Sequence, residues 1–220
     1  MEEPDWSTLY KVKLNQIQMM KDRGYTIPKK EANLLNYSLD EFIDFFYEKM
    51  EDYSLTQLLS IVYTKPDSVL IWYAPPYGKD VSIEEAREFI TQLGEQEKSE
   101  TQGLLHGILI TDKNLGSSAA SFINNTKLYD IEHFTYPDLR INVTQHFLVP
   151  FHEKMSSEDS ARFLKENKLK PSQLPILWVK DPQSRYYHFR VGDIIRIYRK
   201  SLIDPLSSKT VSYRVVVQDQ

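Results

Sequence analysis

The stretch SQLPILWVKDPQSRYYHFRVGDIIRIYRKS, residues 172–201, has the densest pattern of structural signals in this chain of 220 residues. Two prolines, one glycine and six basic side chains stand among its alternating apolar residues. The alternation in GDIIRIYR, residues 192–199, is typical of a half-buried strand. A second alternating run, VSYRVVV at residues 211–217, is the expected partner of this strand. The predicted core of the pair comprises Leu174, Ile195, Ile197, Val215 and Val217.

The residues before this stretch predict a helix that covers the two strands. SSEDSARFLKENKL, residues 156–169, begins with the spacing of an N-terminal cap, and Pro171 and Pro175 are expected to stop it. RINVTQHFLVP, residues 140–150, indicates a connection between domains. We therefore expect residues 144–220 to form a small α+β domain with a mixed sheet.

The N-terminal part of the chain predicts two helices. STLYKVKLNQIQMMKDRGY, residues 7–25, has Ser7 or Thr8 as its expected cap and Gly24 just beyond its expected end. SLDEFIDFFYEKM, residues 38–50, starts with the S-x-x-E spacing of a capping box, and its apolar residues fall on one broad face.

Strand and helix patterns then alternate as far as residue 136. The expected strands are QLLSIVYT (57–64), SVLIWYA (68–74), GLLHGILIT (103–111) and KLYDIEHF (127–134). A Pro-Asp turn is expected at residues 65–68, and SIEEAREFITQLG, residues 82–94, predicts a helix with Gly94 past its end. DKNLGSSAASFINN, residues 112–125, indicates a loop that runs into a short helix. This order predicts a layered α/β domain over residues 1–143.

Charge divides the chain into two parts of opposite sign. The whole chain has a formal net charge of −4, but residues 1–140 carry 14 basic and 23 acidic side chains, and residues 141–220 carry 13 and 8. The resulting charges of −9 and +5 favour two domains with different neighbours. The absence of cysteine excludes disulfides and thiolate zinc sites. No run is apolar enough to span a bilayer and the N-terminus has no apolar leader, so we expect no membrane contact.

The sequence contains no recognisable catalytic motif. The five histidines lack the spacing of a metal site, and the glycine loops that bind phosphates are missing. A restriction-type nuclease needs an Asp on one strand and a D/E-x-K motif on the next. Asp67 resembles the first half, but the only acid two residues before a lysine is Glu166, before Lys168, on a predicted helix. We therefore predict no catalytic, cofactor-binding or metal-ligating residues.

Basic side chains are the remaining signal of function. Lys165, Lys168 and Lys170 cluster at the end of the predicted helix, and Arg196 and Arg199 lie on a predicted strand. Such a set is typical of a nucleic-acid patch, of a surface that docks on an acidic protein, or of an ordinary solvated face. The residue types alone leave these alternatives open.

Short motifs along the chain follow one family pattern. In the C-terminal half they are L-V-P-x-H at 148–152, Q-L-P at 173–175, D-P-x-x-x-Y at 181–186, G-x-x-x-x-I-x-R-x-S at 192–201 and Y-R at 213–214. In the N-terminal half MMKDRGY at 19–25 and NLGSSA at 114–119 fit the same pattern. With these motifs the chain resembles the fifth subunit of eukaryotic nuclear RNA polymerases, whose C-terminal domain has a counterpart in the archaeal polymerase. The resemblance covers nearly the whole chain and is strongest over residues 142–217.

The resemblance implies a non-catalytic subunit of a nuclear DNA-directed RNA polymerase. The N-terminal domain of the family is a three-layer α/β jaw beside the downstream DNA, akin to a restriction nuclease without its active site. The C-terminal domain docks on the largest subunit, near other small subunits. The expected protein is thus not a homo-oligomer, contacts duplex DNA weakly, and lies in the nucleus, or in the nucleolus if it serves only the ribosomal-RNA polymerase. The alternatives are a free-standing nucleic-acid adaptor and a nuclease-like protein.

The resemblance also assigns roles to particular residues. The expected DNA contacts lie in one loop and comprise Lys113, Asn114, Gly116, Ser117 and Ser118. The expected docking residues are Leu177, Trp178, Arg185, Arg190, Arg199 and Arg214. The family usually has Arg after the L-P pair, where this chain has Ile176 and Leu177, and residues 202–209 replace a compact turn. These departures imply a divergent or polymerase-specific member with a more apolar docking surface.

Overall fold

The chain consists of two compact units. Unit 1 is Met1–Ile141 and unit 2 is Asn142–Gln220, a division two residues before the boundary expected at 143 and 144. The computed structural model describes residues 4–64, 68–75, 79–99, 106–199 and 210–219, and describes the backbone alone at 96–99. Within these residues no helix is long and apolar enough to cross a membrane.

Unit 1 combines helices with a four-stranded sheet. Its helices are α1 (Trp6–Asp22), α2 (Lys29–Leu34), α3 (Leu39–Lys49), α4 (Leu55–Leu59), α5 (Ile83–Ser99), α6 (Ser117–Asn125) and α7 (Tyr136–Leu139). Its strands are β1 (Ile61–Tyr63), β2 (Val69–Tyr73), β3 (His106–Thr111) and β4 (Asp130–Thr135). The strand order is β1-β2-β3-β4, with β1 antiparallel to β2 and the other pairs parallel. The parallel pairs are joined through α5 and α6, as an α/β arrangement requires.

The central strands of unit 1 are covered on both faces. Every residue of β2 and β3 is buried, which accounts for their continuous apolar runs. One core cluster joins Trp72 and Leu109 of these strands to Phe89 and Leu93 of α5. Gly107 permits this packing, because a Cβ there would lie 2.7 Å from Cζ of Phe89. The glycine in the middle of β3 is thus explained by the close approach of α5.

The first helix ends as its sequence predicts but begins differently. Asp5, and not Ser7 or Thr8, is the N-terminal cap, and its carboxylate accepts the backbone N–H of Thr8 at 3.1 Å. At the other end Gly24 has φ +88°, and the N–H of Tyr25 donates to the carbonyl of Met20 at 3.0 Å. This is the Schellman arrangement, for which glycine is favoured because L side chains rarely adopt that φ.

Other predicted boundaries in unit 1 are also wrong. The expected strand 57–64 is divided, since Leu55–Leu59 form α4 and only Ile61–Tyr63 form β1. Ser54 and Gln57 make a reciprocal capping box that starts a helical turn within the apolar run. Gly94 was expected just past the end of a helix but lies inside α5, which continues to Ser99. A glycine lowers the stability of a helix but does not by itself end it.

Unit 2 is built on a mixed four-stranded sheet. Its elements are β5 (Phe151–Lys154), α8 (Ser157–Glu166), β6 (Ile176–Trp178), α9 (Pro182–Tyr187), β7 (Ile194–Arg199) and β8 (Thr210–Val217), with short 3-10 turns at Val143–Gln145 and Pro171–Gln173. The strand order is β5-β7-β8-β6, and only the pair of β6 and β8 is parallel. The two alternating runs pair with each other, as predicted.

Both faces of the sheet of unit 2 carry a core. Ile195, Ile197 and Val216 belong to one cluster, and Ile194 and Val215 belong to another that α8 covers. The second cluster places Phe163 of α8 on Tyr213 with ring centroids 4.1 Å apart. Four of the five predicted core residues are buried, and the fifth, Val217, is half-buried against the same cluster as Val215. Val216, which was not predicted, is buried in the cluster on the other face, because β8 carries apolar packing on both faces of the sheet.

The helix α8 ends at Glu166, before it reaches the prolines that were expected to stop it. Asn167 is its C-terminal cap, and Lys168 follows with φ +52°. The N–H of Leu169 donates to the carbonyl of Leu164 at 2.9 Å, so the helix closes with a Schellman bond pattern that has lysine in the left-handed position. The replacement of the compact turn, residues 202–209, lies outside the described residues.

Candidate interaction surfaces

The loop expected to contact DNA lies at the carboxyl end of β3 and leads into α6. The hydroxyl of Thr111 hydrogen-bonds the carbonyl of Lys113, and its oxygen lies 2.8 Å from Nε2 of His133 on β4. These contacts hold the start of the loop against the sheet. The side chains of Lys113, Asn114, Ser117 and Ser118 are exposed.

Backbone hydrogen bonds fix the second half of this loop. The N–H of Val81 donates to the carbonyl of Asn114 at 3.1 Å, and the N–H of Gly116 donates to the carbonyl of Val81 at 3.0 Å. A Cβ at position 116 would lie 3.1 Å from the same carbonyl oxygen, so glycine suits the close approach. Gly116 is the N-terminal cap of α6 and provides no side-chain hydrogen bond. Within the described residues, the N–H groups of the first turn of α6 therefore have no side-chain cap and are available to solvent or an anion.

The residues of the MMKDRGY motif anchor the end of α1 to the sheet. The guanidinium of Arg23 donates two hydrogen bonds to the carboxylate of Glu132 on β4, at 2.7 and 2.9 Å. Nε2 of His106, on β3, lies 2.7 Å from the same carboxylate. Tyr25 packs edge to face on Tyr63, with centroids 5.9 Å apart. The motif thus has a structural use within unit 1.

A buried polar network connects the helices of unit 1 to its sheet. Lys13 of α1 forms an ion pair with Glu31 of α2 and donates to the carbonyl of Leu59 at 2.9 Å. Tyr63 donates its hydroxyl to Glu31, and the amide of Gln16 donates to the Tyr63 hydroxyl at 3.0 Å. Burial lowers the pKa of Lys13, although the carboxylate of Glu31 opposes that shift. The sequence gives no signal for this network, because its members are ordinary polar residues distant from one another along the chain.

The apolar docking residues differ in their exposure. Leu177 is only 5% exposed and belongs to a core cluster of unit 2, so its burial speaks against a docking role, and that role stays a prediction. It points inward because β6 alternates, and the exposed residues on either side are Ile176 and Trp178, at 45% and 37%. Trp178 therefore remains as the candidate anchor, at the outer edge of the sheet.

The four arginines expected to dock lie on separate elements. Arg185 is on α9, Arg190 follows it, Arg199 ends β7 and Arg214 is on β8. The side chain of Arg214 donates to the carbonyl of Ile176 at 2.9 Å and so braces β6. This contact gives Arg214 a role within the sheet in addition to any role at an interface.

The histidine of the L-V-P-x-H motif, His152, is buried near two of these arginines. Its Nδ1 lies 2.8 Å from the carbonyl of Pro150. Burial lowers the pKa of His152, and the charges of Arg214 and Arg199 contribute to the lowering. The motif therefore places a buried histidine on β5, held by the Pro150 carbonyl and paired with Ile197 of β7.

The D/E-x-K residues weighed for nuclease chemistry do not lie on a strand. Glu166 is the last residue of α8, and Lys168 follows that helix in unit 2. Asp67 lies outside the described residues. The one D/E-x-K spacing in the sequence is thus at a helix end and not on a strand of the parallel sheet.

Comparison with protein families matches both parts of the chain. Residues 3–93 match a family model described as RNA polymerase Rpb5, N-terminal domain. Residues 141–216 match the model described as RNA polymerase Rpb5, C-terminal domain. The second match begins within one residue of the start of unit 2.

Two nematode relatives are similar to the chain over nearly their whole length. They come from Caenorhabditis briggsae and Caenorhabditis elegans, and both are named DNA-directed RNA polymerases I, II, and III subunit RPABC1. Each is 28% identical over 222 residues, covering 98% of this chain and 99% of the relative. With the two domain matches in their proper order, the chain belongs to the Rpb5 family, the non-catalytic subunits of multisubunit RNA polymerases.

Proposed function

We propose that the protein is a non-catalytic subunit of a nuclear DNA-directed RNA polymerase, in which unit 2 docks on the largest subunit and unit 1 lies beside downstream DNA. The observation that carries this proposal is the match of both domains, in order, to one polymerase subunit family. The relatives are named as subunits of polymerases I, II and III, which act in the nucleus, and this supports nuclear localisation. A nucleolar location follows if the protein serves only the ribosomal-RNA polymerase.

The proposed DNA contact is the loop that precedes α6. Ser117, Ser118 and the uncapped N–H groups of the first turn can hold a phosphate, with Lys113 beside them. The net charge of −9 over residues 1–140 opposes a broad footprint, so this contact would position DNA that the whole polymerase holds. The parallel strands flanked by helices agree with the restriction-nuclease-like jaw that we propose for unit 1.

The proposed docking surface on the largest subunit is the outer edge of β6 in unit 2. Trp178 and Ile176 present apolar side chains there, beside the guanidinium of Arg214. A partly exposed tryptophan is a common anchor in interfaces because its ring buries a large area. Residues 141–220 carry a net charge of +5, which favours an acidic partner surface.

Affinity purification of the tagged full chain from nuclear extract tests this function. We expect the two large catalytic subunits to co-purify in stoichiometric amounts. Trp178→Ala should lower their recovery at low and at high salt alike, since an apolar contact is not screened. Val191→Ala, at another exposed position of unit 2, is the matched control.

Two results would contradict the proposal. Recovery of nucleic acid without polymerase subunits would favour a free-standing adaptor, and Mg²⁺-dependent cleavage of DNA by the purified chain would favour a nuclease. If Trp178→Ala co-purified like the parent, while Arg214→Ala melted like the parent but did not co-purify, the docking contact would be ionic and not anchored by Trp178.

A further inference from the structure

A groove of about 870 Å³ opens on unit 2, away from the expected docking residues of β6. One side is the segment that leads into β5, and the floor comes from the neighbouring strands. Its lining consists of residues 144–151 together with Tyr187, Tyr198 and Arg199. Of the expected docking residues, only Arg199 is among them.

Large apolar side chains line this groove and are open to solvent. Phe147 is 83% exposed, Phe151 is 58% exposed and Leu148 is 56% exposed. Single exposed apolar residues are common on proteins, but three of them within five positions form a contiguous patch. Such a patch is typical of a surface that a partner covers.

Hydrogen bonds hold the segment that carries these side chains in shape. Oδ1 of Asn142 accepts the N–H of Thr144 at 3.0 Å and its hydroxyl at 2.6 Å. The N–H of Leu148 donates to Nδ1 of His146 at 3.3 Å, and the N–H of Val149 donates to the carbonyl of His146 at 2.9 Å. The side chains are thus exposed on an ordered backbone, so little conformational entropy is lost when a partner binds.

The floor of the groove is also ordered and ends at a positive charge. Phe151 and Tyr198 are paired across β5 and β7, and their rings stack with centroids 5.9 Å apart. The hydroxyl of Tyr198 donates to the carboxylate of Glu153 at 2.6 Å, which fixes the ring. Arg199 follows, exposed, and no carboxylate pairs with its guanidinium among the residues that the structure describes.

We infer that this groove binds an extended apolar segment of a neighbouring polymerase subunit that also carries a carboxylate for Arg199. Its aromatic lining suits apolar side chains, and arginine pairs well with carboxylates at interfaces. The net charge of +5 over residues 141–220 favours an acidic segment over a basic one and over a second copy of the same basic surface. This inference rests on the proposed function and adds a second contact to the one at β6.

Substitutions along the groove test the inference in the assembled polymerase. Phe147→Ser and Phe151→Ser should each lower co-purification of the large subunits roughly tenfold or more, at low and high salt alike. Arg199→Glu should lower it mainly at low salt, where a like-charge contact is least screened. Val191→Ser, 56% exposed in the same unit, should behave as the parent. Phe147→Ser, Arg199→Glu and Val191→Ser should melt like the parent, because the altered side chains are exposed, and Phe151→Ser, which also loses the stack on Tyr198, should melt only slightly lower.

A photocrosslinker identifies the occupant directly. Benzoylphenylalanine in place of Leu148, in the full chain within the assembled polymerase, should form an adduct with a polymerase subunit. Mass spectrometry of the adduct should show an apolar peptide with Asp or Glu.

An adduct with nucleic acid or with a second copy of the chain, or no adduct at all, would overturn the inference. So would groove variants that co-purify like the parent, and in that case the parent's own co-purification would leave the proposed function standing. If the parent itself brought down no polymerase, the proposed function would fail, and the inference with it.

Discussion

At the scale of single residues, the ion pair of Lys13 and Glu31 is expected to have a large effect on stability. Both side chains are almost fully buried, at 2% and 1% exposure, so neither charge is stabilised by water. Lys13→Met would leave the Glu31 carboxylate without its cation. Loss of one partner of a buried pair costs about 3–5 kcal/mol. Urea denaturation, with hydrogen exchange of β2 and β3 amides to report on unit 1, measures this loss.

A double substitution shows how much of the lost stability comes from the unpaired charge of Glu31. Lys13→Met with Glu31→Gln removes both charges and keeps an acceptor for the hydroxyl of Tyr63, so it should recover most of the lost stability. Lys11→Met, exposed on the same helix, should change the free energy of unfolding by less than about 0.5 kcal/mol. A single variant as stable as the parent would show that Lys13 is not charged in the folded protein.

Local sequence motifs predicted where helices begin better than they predicted which side chains are exposed. The capping box of Ser38 and Glu41 is confirmed by hydrogen bonds in both directions, because such a box depends only on local spacing. The exposure of Leu177 could not be predicted in the same way. Its side chain faces a core that is made by residues distant in sequence, and a three-residue strand gives too short an alternation to assign a face.

At the scale of elements, the end of α8 allows a stabilising substitution. Lys168 has φ +52°, a conformation that costs about 1–2 kcal/mol for a residue with a Cβ. Lys168→Gly removes that cost but increases the entropy of the unfolded chain, so we expect a net gain of about 0.5–1 kcal/mol. Thermal and urea unfolding of the full chain, followed by hydrogen exchange in α8, measures the gain.

A matched variant isolates the backbone contribution. Lys168→Ala removes the charge near the helix C-terminus but retains the Cβ, so it should be neutral or slightly destabilising. If Lys168→Ala stabilised the protein as much as Lys168→Gly, repulsion by the lysine charge and not the backbone conformation would be the cause.

Helices and strands were predicted correctly where the sequence has one hydrophobic period, and wrongly where two patterns overlap. The runs at 68–74 and 211–217 form β2 and β8, because their β-branched and aromatic residues fit no amphipathic helix. The run at 57–64 carries a capping box at its start and β-rich residues at its end, and it divides between α4 and β1. Its short apolar stretch was compatible with both structures.

At the scale of the whole molecule, the order of domains was more predictable than the surfaces they present. The change of charge sign and the motif order both indicated two domains before any contact was known. The groove beside Phe147 and Phe151 was not predicted, because it forms only when β5, β7 and the preceding segment come together. Its only signal in the sequence is the pair of aromatics on either side of Leu148–Pro150.

Asn142 is the first residue of unit 2 and contributes to its stability. Asn142 caps the turn at Val143–Gln145, and its amide also donates to the hydroxyl of Tyr186 at 3.1 Å. A fragment of residues 142–220 should therefore fold alone and be more stable than 144–220, by about 1–2 kcal/mol for a lost cap and a hydrogen bond. In a domain of this size that corresponds to a difference in Tm of roughly 4–16 °C.

The cause of that difference can be assigned to one side chain. Asn142→Ala in the longer fragment removes the cap and the hydrogen bond but keeps the backbone, and it should lower the Tm nearly as far as the truncation does. If the truncation were destabilising and Asn142→Ala were not, the backbone of residues 142 and 143 would be responsible. Equal melting of the two fragments would mean that residues 142 and 143 contribute nothing, and that unit 2 begins at residue 144, as expected from the sequence. A fragment without any cooperative transition would show that unit 2 depends on unit 1 for its fold.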